Sequence, residues 1–172
     1  IDLSKRTLYQ NKHLMELGLV IDTFGNASSK IENIIIIKPS GIQLSELKIN
    51  DMSILKQDSN QHKSGKLPSS DTPTHLELYN SFTDIGGIVH THSKYATAWA
   101  QAAKPIPCYG TTHADYWKGE IPVTRKLTED EINGDYELET GKIIVESLKK
   151  QKIDPLECPG ILVANHGPFT WG

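Results

Sequence analysis

Apolar residues along this chain fall into short runs divided by Gly, Pro and polar stretches, and their spacing predicts alternating helices and strands. Between Leu3 and Leu19, Leu8, Leu14 and Leu17 recur at mixed helical spacing, which predicts a first helix ending near Gly18. Val20 to Thr23 reads as a short strand and Phe24-Gly25-Asn26 as a turn. Ile34-Ile35-Ile36-Ile37-Lys38 is a β-branched run that breaks at Pro39-Ser40-Gly41, the pattern of a strand buried on both faces. Met52 to Leu55 is a further strand, and the polar residues Asp58 to Gly65 form a hairpin loop. Thr72-Pro73 opens a helix, since Pro is tolerated in the first turn and Ser70, Asp71 or Thr72 can cap it. Ile85 to His92 predicts another strand. Ser93 can cap an alanine-rich helix through Ala103, which Pro105 and Pro107 end. Thr128 and Glu131 have capping-box spacing ahead of a long helix to about Lys150, with Gly134 and Gly141 weakening its middle. Ile161 to Ala164 is the last expected strand. Helices and strands interleave, so one α/β or α+β domain is expected, with a layered core and a largely antiparallel sheet.

Composition narrows the function. A chain of 172 residues is long enough for one real core. With a net charge of −3 and scattered Lys and Arg, no basic stripe points to nucleic acid. The longest apolar run is far too short to cross a bilayer, and no secretory leader is visible. Cys108 and Cys158 lie far apart, which fits a reducing compartment better than a disulfide framework. A soluble cytoplasmic protein is the expectation. The chain opens at Ile1 without Met and stops at Gly172 directly after a motif, so a domain lacking its C-terminal segment is expected.

The chemistry concentrates on histidines. His90 and His92 sit one residue apart after Gly86-Gly87-Ile88-Val89, and on an extended strand they project to the same face. His166 follows the apolar run Ile161 to Ala164. Three imidazoles can close a site for a divalent cation with one position left open, the arrangement of a catalytic rather than a structural metal. Asp71 can serve as a helix cap or as an exchangeable fourth ligand, since carboxylate suits zinc or manganese beside imidazole. Lys38-Pro39-Ser40-Gly41 places a cation and a hydroxyl around a turn. Ser69-Ser70-Asp71 lies at a helix N-terminus, where free N–H groups favour an anion. With Gly25-Asn26 these could hold a phosphate, although each segment alone reads as an ordinary cap or turn. No Walker or Rossmann glycine pattern is present. Within Gly110-Thr111-Thr112-His113-Ala114-Asp115-Tyr116, Asp115 is a candidate proton shuttle; a polar loop capping its own turns is the plainer alternative.

These strings, together with Ser69 to His75, Gly87 to Ser93 and Asn165-His166-Gly167-Pro168-Phe169, resemble the class II sugar-phosphate aldolase/epimerase family, in order and over nearly the whole chain. The resemblance implies an α/β fold of three layers (αβα) with a mostly antiparallel central sheet. It also implies zinc or another divalent cation such as manganese, and a homotetramer with active sites between subunits. It assigns His90, His92 and His166, with Asp71 near or on the metal, to the ion. Asn26, Lys38, Gly41, Ser69 and Ser70 go to the substrate phosphate, and Asp115 to acid/base catalysis. The implied reaction converts L-ribulose 5-phosphate to D-xylulose 5-phosphate. Since C4 is not next to the ketone, enolisation cannot invert it; breaking C3–C4 in a retro-aldol step and re-adding to the other face can, with a Lewis acid steadying the enediolate. The related aldolases carry glutamate where this chain has Asp71. The family's second acid/base is a tyrosine in a C-terminal segment, and neither Tyr116 nor Tyr136 is assigned to that role. An aldolase acting on a deoxyketose 1-phosphate and a non-catalytic binding domain are the competing readings.

Overall fold

A computed structural model of the protein describes residues 2–172. Helix α1 spans Leu3–Glu16, and the Asp2 carboxylate caps it by accepting from the Ser4 N–H at 3.0 Å. Gly18, at φ +66°, then turns the chain back. Seven strands among the described residues form one sheet: β1 Asn26–Ile31, β2 Ile34–Ile37, β3 Ser53–Lys56, β4 Gln61–Ser64, β5 Gly87–His90, β6 Gly160–Leu162 and β7 Pro168–Trp171. Their order is β4-β3-β2-β1-β5-β7-β6, and every neighbouring pair is antiparallel. The expectation of a mostly antiparallel sheet holds.

Alternation along the strands builds a layer on each face. Ile35, Ile37, Ile88, Phe169 and Trp171 pack with Leu76, Tyr79, Ile144 and Leu148 from α2 (Thr72–Ser81) and α6 (Tyr136–Gln151). Ile36, Ala27 and Val89 pack instead with Leu14 and Leu8 of α1. The isoleucine run is therefore buried on both faces, as its β-branched composition implies. α2 and α6 approach closely because Gly141 leaves room: a Cβ there would meet the Glu77 side chain at 2.7 Å. α3 (Lys94–Gln101) ends beside the sheet, its Ala100 carbonyl accepting from Asn165 N–H at 2.8 Å. No helix among the described residues is long and apolar enough to cross a membrane.

Several elements differ from expectation. Val20 to Thr23 is not a strand; Val20 packs beneath α1 and the sheet begins only at Asn26. Strand β1 itself, Asn-Ala-Ser-Ser-Lys-Ile, was not anticipated. Asp58 to Gly65 contains the exposed edge strand β4. The Thr128–Glu131 capping box is present, but it opens only the short α5 (Glu129–Asn133), because the chain breaks at Gly134 before α6 starts. Neither the Asp71 nor the Ser93 side chain accepts a capping hydrogen bond, although each stands at the N-cap position. The Ile161 to Ala164 run is not the last strand, since the chain returns after His166 as β7.

Candidate metal and phosphate site

The site forms at one end of the central strands. Asn26 opens β1 directly opposite His90, the last residue of β5, and His90 in turn pairs with Phe169 of β7. Gly25 delivers the chain to this point with φ +84°; a Cβ there would strike Val20 Cγ1 at 2.5 Å and approach the His90 carbonyl at 3.1 Å. Only glycine accepts both the left-handed backbone and that contact. A buried amide fixes the same segment from below: Asn11 of α1 donates to the Ala27 carbonyl at 3.0 Å and accepts from the Ala27 N–H at 2.8 Å. His92 lies just past β5, and His166 sits in the β6–β7 turn after Asn165, whose φ is +64°. Gly167 lets that turn close on the pair, since a Cβ would lie 3.2 Å from His92 Cδ2.

These elements bring the three imidazoles together. His92 Nε2 lies 3.1 Å from His90 Nε2 and 3.2 Å from His166 Nε2. His90 Nδ1–H donates to the Pro168 carbonyl at 3.0 Å, an atom that only accepts, so the His90 Nε2 carries a lone pair toward its neighbours. Phe169 stacks on the His90 ring with centroids 4.1 Å apart. Burial holds the His90 and His166 imidazoles below their ordinary range, with the Asp71 charge opposing. Three converging Nε2 atoms, with the His90 and His166 rings anchored through Nδ1, are the donor set a divalent cation takes. The residues fit such an ion. Asp71 is not part of the nitrogen cluster itself.

A cavity of about 260 Å³ opens beside the triad, and its walls include Asn26, Lys38, Gly41, Ser69, Ser70 and Asp71 along with the three histidines. Lys38 directly follows β2, is 2% exposed, and donates to the Thr23 and Pro39 carbonyls at 3.1 and 3.3 Å. Burial pulls its ammonium below the usual range, opposed by Asp71. The Ser69 N–H donates to the Lys38 carbonyl, which seats the serine pair beside the ammonium. Asp71 faces the cavity rather than its own helix, and its Oδ2 accepts from Asn26 Nδ2 at 2.6 Å. Asn26 Nδ2 also donates to Ser69 Oγ at 3.3 Å, while its Oδ1 is buried with no partner. Nine of the ten residues singled out from sequence thus line one cavity. Asp115 does not: it caps the short α4 (Thr111–Ala114), is exposed, and stands outside the lining.

The model describing the Class II Aldolase and Adducin N-terminal domain matches residues 6–172. The chain belongs to this family. Among its class II aldolase relatives, the L-ribulose-5-phosphate 4-epimerases UlaF of Salmonella paratyphi C (strain RKS4594) and of Salmonella typhi are each 48% identical over 172 residues, covering 99% of this chain and 75% of theirs. Among solved structures, an L-fuculose 1-phosphate aldolase superposes with a TM-score of 0.80 at 26% identity, over 99% of this chain and 75% of that one. YgbL of Klebsiella pneumoniae, titled a putative aldolase/epimerase/decarboxylase, gives 0.75 at 24% identity over 99% and 78%, a likeness of fold.

Sequence reasoning missed the supports of this site. Tyr136 Oη lies 2.8 Å from His166 Nδ1, Phe24 stacks on His92 with centroids 6.0 Å apart, and Phe169 backs His90. The signal for Phe169 lay in the alternation of Pro-Phe-Thr-Trp. Nothing in the local sequence ties Tyr136 to His166. Below the cavity, His75 is fully buried, its Nδ1 sharing a hydrogen bond with Ser28 Oγ at 2.7 Å, and Ser28 Oγ lies 2.8 Å from Tyr79 Oη. Strand positions 26 and 28 face helix positions 71 and 75, so Asn26–Asp71 and Ser28–His75 are successive rungs between β1 and α2. His113, by contrast, donates to the Gly119 carbonyl at 2.7 Å and closes its own loop.

Burial pushes the His75 imidazole down to about 4. In the unfolded chain it titrates near 6.5, so between these values the unfolded state binds more protons. Stability is therefore complete above about pH 6.5 and falls as the pH drops toward 4, by up to about 1.4 kcal/mol per pH unit for this one group. Urea midpoints measured across that window are expected to decline with acid, and His75→Gln is expected to flatten the slope. An unchanged slope in the variant would assign the acid sensitivity elsewhere.

Proposed function

We propose that the chain is a metal-dependent epimerase interconverting L-ribulose 5-phosphate and D-xylulose 5-phosphate, by cleavage and re-addition at C3–C4. The observation that carries this reading is the meeting of three converging imidazoles with a buried ammonium and a serine pair in one cavity. An acceptor-rich phosphate suits Lys38, Ser69, Ser70 and the backbone at Gly41, which leaves the rest of a short sugar chain reaching toward His90, His92 and His166. Those histidines would hold zinc or manganese. A divalent cation there supplies Lewis acidity for the oxyanion that forms when the carbon–carbon bond opens. Asn26 stands at the phosphate end, yet its amide N–H groups are committed to Asp71 and Ser69. It therefore positions the Asp71 carboxylate, and its contact with phosphate requires exchanging one of those bonds. Asp71, close to the triad, is placed to hold or move a proton, or to join the ion as an exchangeable ligand.

Asp115 is proposed as an acid/base residue that reaches the cavity in a homotetramer with sites completed between subunits, because within its own chain it is exposed outside the lining. Tyr109 and Tyr116, at 81% and 75% exposure on the flanking stretch, give that surface the apolar area an interface uses. The substrate is a small sugar phosphate, the domain acts as one unit, and the compartment is the cytoplasm. Support comes from the 48% identity to the named epimerases over nearly the whole chain and from aspartate rather than glutamate at position 71.

The test supplies zinc-loaded protein with L-ribulose 5-phosphate and follows D-xylulose 5-phosphate through a coupled assay, beside a parallel reaction with L-fuculose 1-phosphate. Formation of xylulose 5-phosphate is the expected result. Release of dihydroxyacetone phosphate from the second substrate, with no xylulose 5-phosphate from the first, would replace the epimerase reading with an aldolase.

A further inference from the structure

Resting on the metal-site reading above, we infer that Tyr136 is a positioning residue that sets the ring orientation and tautomer of His166 for ion binding. Its hydroxyl lies 2.8 Å from His166 Nδ1, and the two rings stack with centroids 5.9 Å apart and planes 24° from parallel. The contact is fixed by the fold rather than by a mobile side chain. Tyr136 is the first residue of α6, and that turn is pinned to α2 where Thr74 Oγ1 donates to the Glu137 carbonyl. The close approach at Gly141 holds the next turn of α6 against the same helix. Thr140 Oγ1 also donates back to the Tyr136 carbonyl at 2.8 Å, which secures the first turn from within.

The three rings are anchored unequally. His90 meets a carbonyl, which admits one tautomer only. His166 meets a hydroxyl, which can accept from Nδ1–H or donate to a bare Nδ1. With Nδ1–H donating to Tyr136, His166 Nε2 carries a lone pair and matches His90. With the opposite tautomer, its Nε2–H points at His92 Nε2, 3.2 Å away, and the nitrogen is lost to an ion. Three Nε2 lone pairs this close repel one another unless a cation lies among them. The hydroxyl therefore holds the ring in place in either state, and as an acceptor it favours the ion-ready tautomer. His92 has no hydrogen-bond partner on Nδ1 among the described residues, so the anchoring of the triad rests on Pro168 and Tyr136.

Tyr136→Phe keeps the ring and removes the hydroxyl. The experiment titrates ion-free protein with zinc against a chromophoric chelator, records the visible spectrum of the cobalt(II)-loaded forms, and melts the ion-free forms. The expected result is zinc affinity 10–100-fold weaker than the unsubstituted protein, a changed cobalt spectrum, and an ion-free melting temperature close to the original. Zinc affinity within twofold of the unsubstituted protein overturns the inference alone. So does a lost affinity matched by collapse of the ion-free fold, which marks a packing role. If the unsubstituted protein binds no zinc while His166→Ala melts as it does, the metal-site reading itself falls, and this inference with it.

Discussion

Stripped of divalent ions by a chelator, the protein is expected to lose turnover of L-ribulose 5-phosphate by at least about 10³-fold and to regain it when zinc or manganese is returned. The size follows from the chemistry proposed for the site. Opening a C–C bond leaves negative charge on oxygen, and among the described residues lining the cavity the cation is the buried ammonium of Lys38, already bonded to two carbonyls. Removing a single preorganised partner of a developing oxyanion costs about 10²–10³ in rate, and losing a full cationic charge costs at least as much. Stability follows the same equilibrium. An ion present at about 100 times its dissociation constant adds about 2.7 kcal/mol, and for a chain of this size each kcal/mol moves the melting temperature by about 2–4 °C. Chelation should therefore lower the melting temperature by about 5–10 °C in parallel with activity, and His92→Ala should abolish both responses. Elemental analysis beside the assay decides the matter: undiminished turnover in protein free of any metal would remove the ion from the mechanism.

How much of this was legible in the sequence depended on where the polar residues lie. The run Ile34 to Ile37 announced a two-faced buried strand because nothing but tertiary burial explains four β-branched residues in a row. His90 and His92 announced a shared face through their spacing of two, and His166 through the turn behind it. β1 gave no such sign, since Asn-Ala-Ser-Ser-Lys-Ile has no apolar alternation. It nevertheless sits in the centre of the sheet, its polar side chains held by tertiary partners: the Asn26 Nδ2 by Asp71 and Ser69, Ser28 by His75 and Tyr79, Ser29 by Gln10. A strand whose side chains serve the site breaks the local pattern because the site, not the core, selects them. β7 was hidden for a different reason: Gly167-Pro168 reads as a stop, yet Pro168 occupies the first position of the strand, where a missing N–H is tolerated. The capping box at Thr128 was real but opened one short helix, because Gly134 breaks the chain before α6. Asp115 was singled out because its string resembles the family's, yet its side chain is exposed and lies outside the cavity.

Replacing Lys38 by Met is expected to weaken kcat/KM for the sugar phosphate by about 10²–10³-fold while raising the stability of the ligand-free protein. The two effects share one cause. Lys38 is a cation held in an almost dry position by two carbonyls, and burial already pulls its ammonium below the ordinary range, so its charge opposes folding at neutral pH. Met has a similar length and no charge to desolvate, so the variant is expected to gain on the order of 1 kcal/mol in urea unfolding, as removal of a strained functional charge commonly does. A bound phosphate reverses the balance, because it supplies the counter-charge that the empty cavity offers only through Asp71. Losing a buried charge-assisted partner of that dianion costs about 2–5 kcal/mol, which corresponds to the stated drop. Since the phosphate is remote from the breaking bond, most of the loss should appear in KM, with kcat falling where held phosphate is needed to keep the aldehyde fragment in place while it turns. Inorganic phosphate offers a separate check: it should protect the unsubstituted protein in a thermal melt and leave Lys38→Met unprotected. Equal protection of both proteins would move the phosphate away from Lys38, and a destabilised variant would show that the ammonium is held there by the fold rather than kept for the ligand.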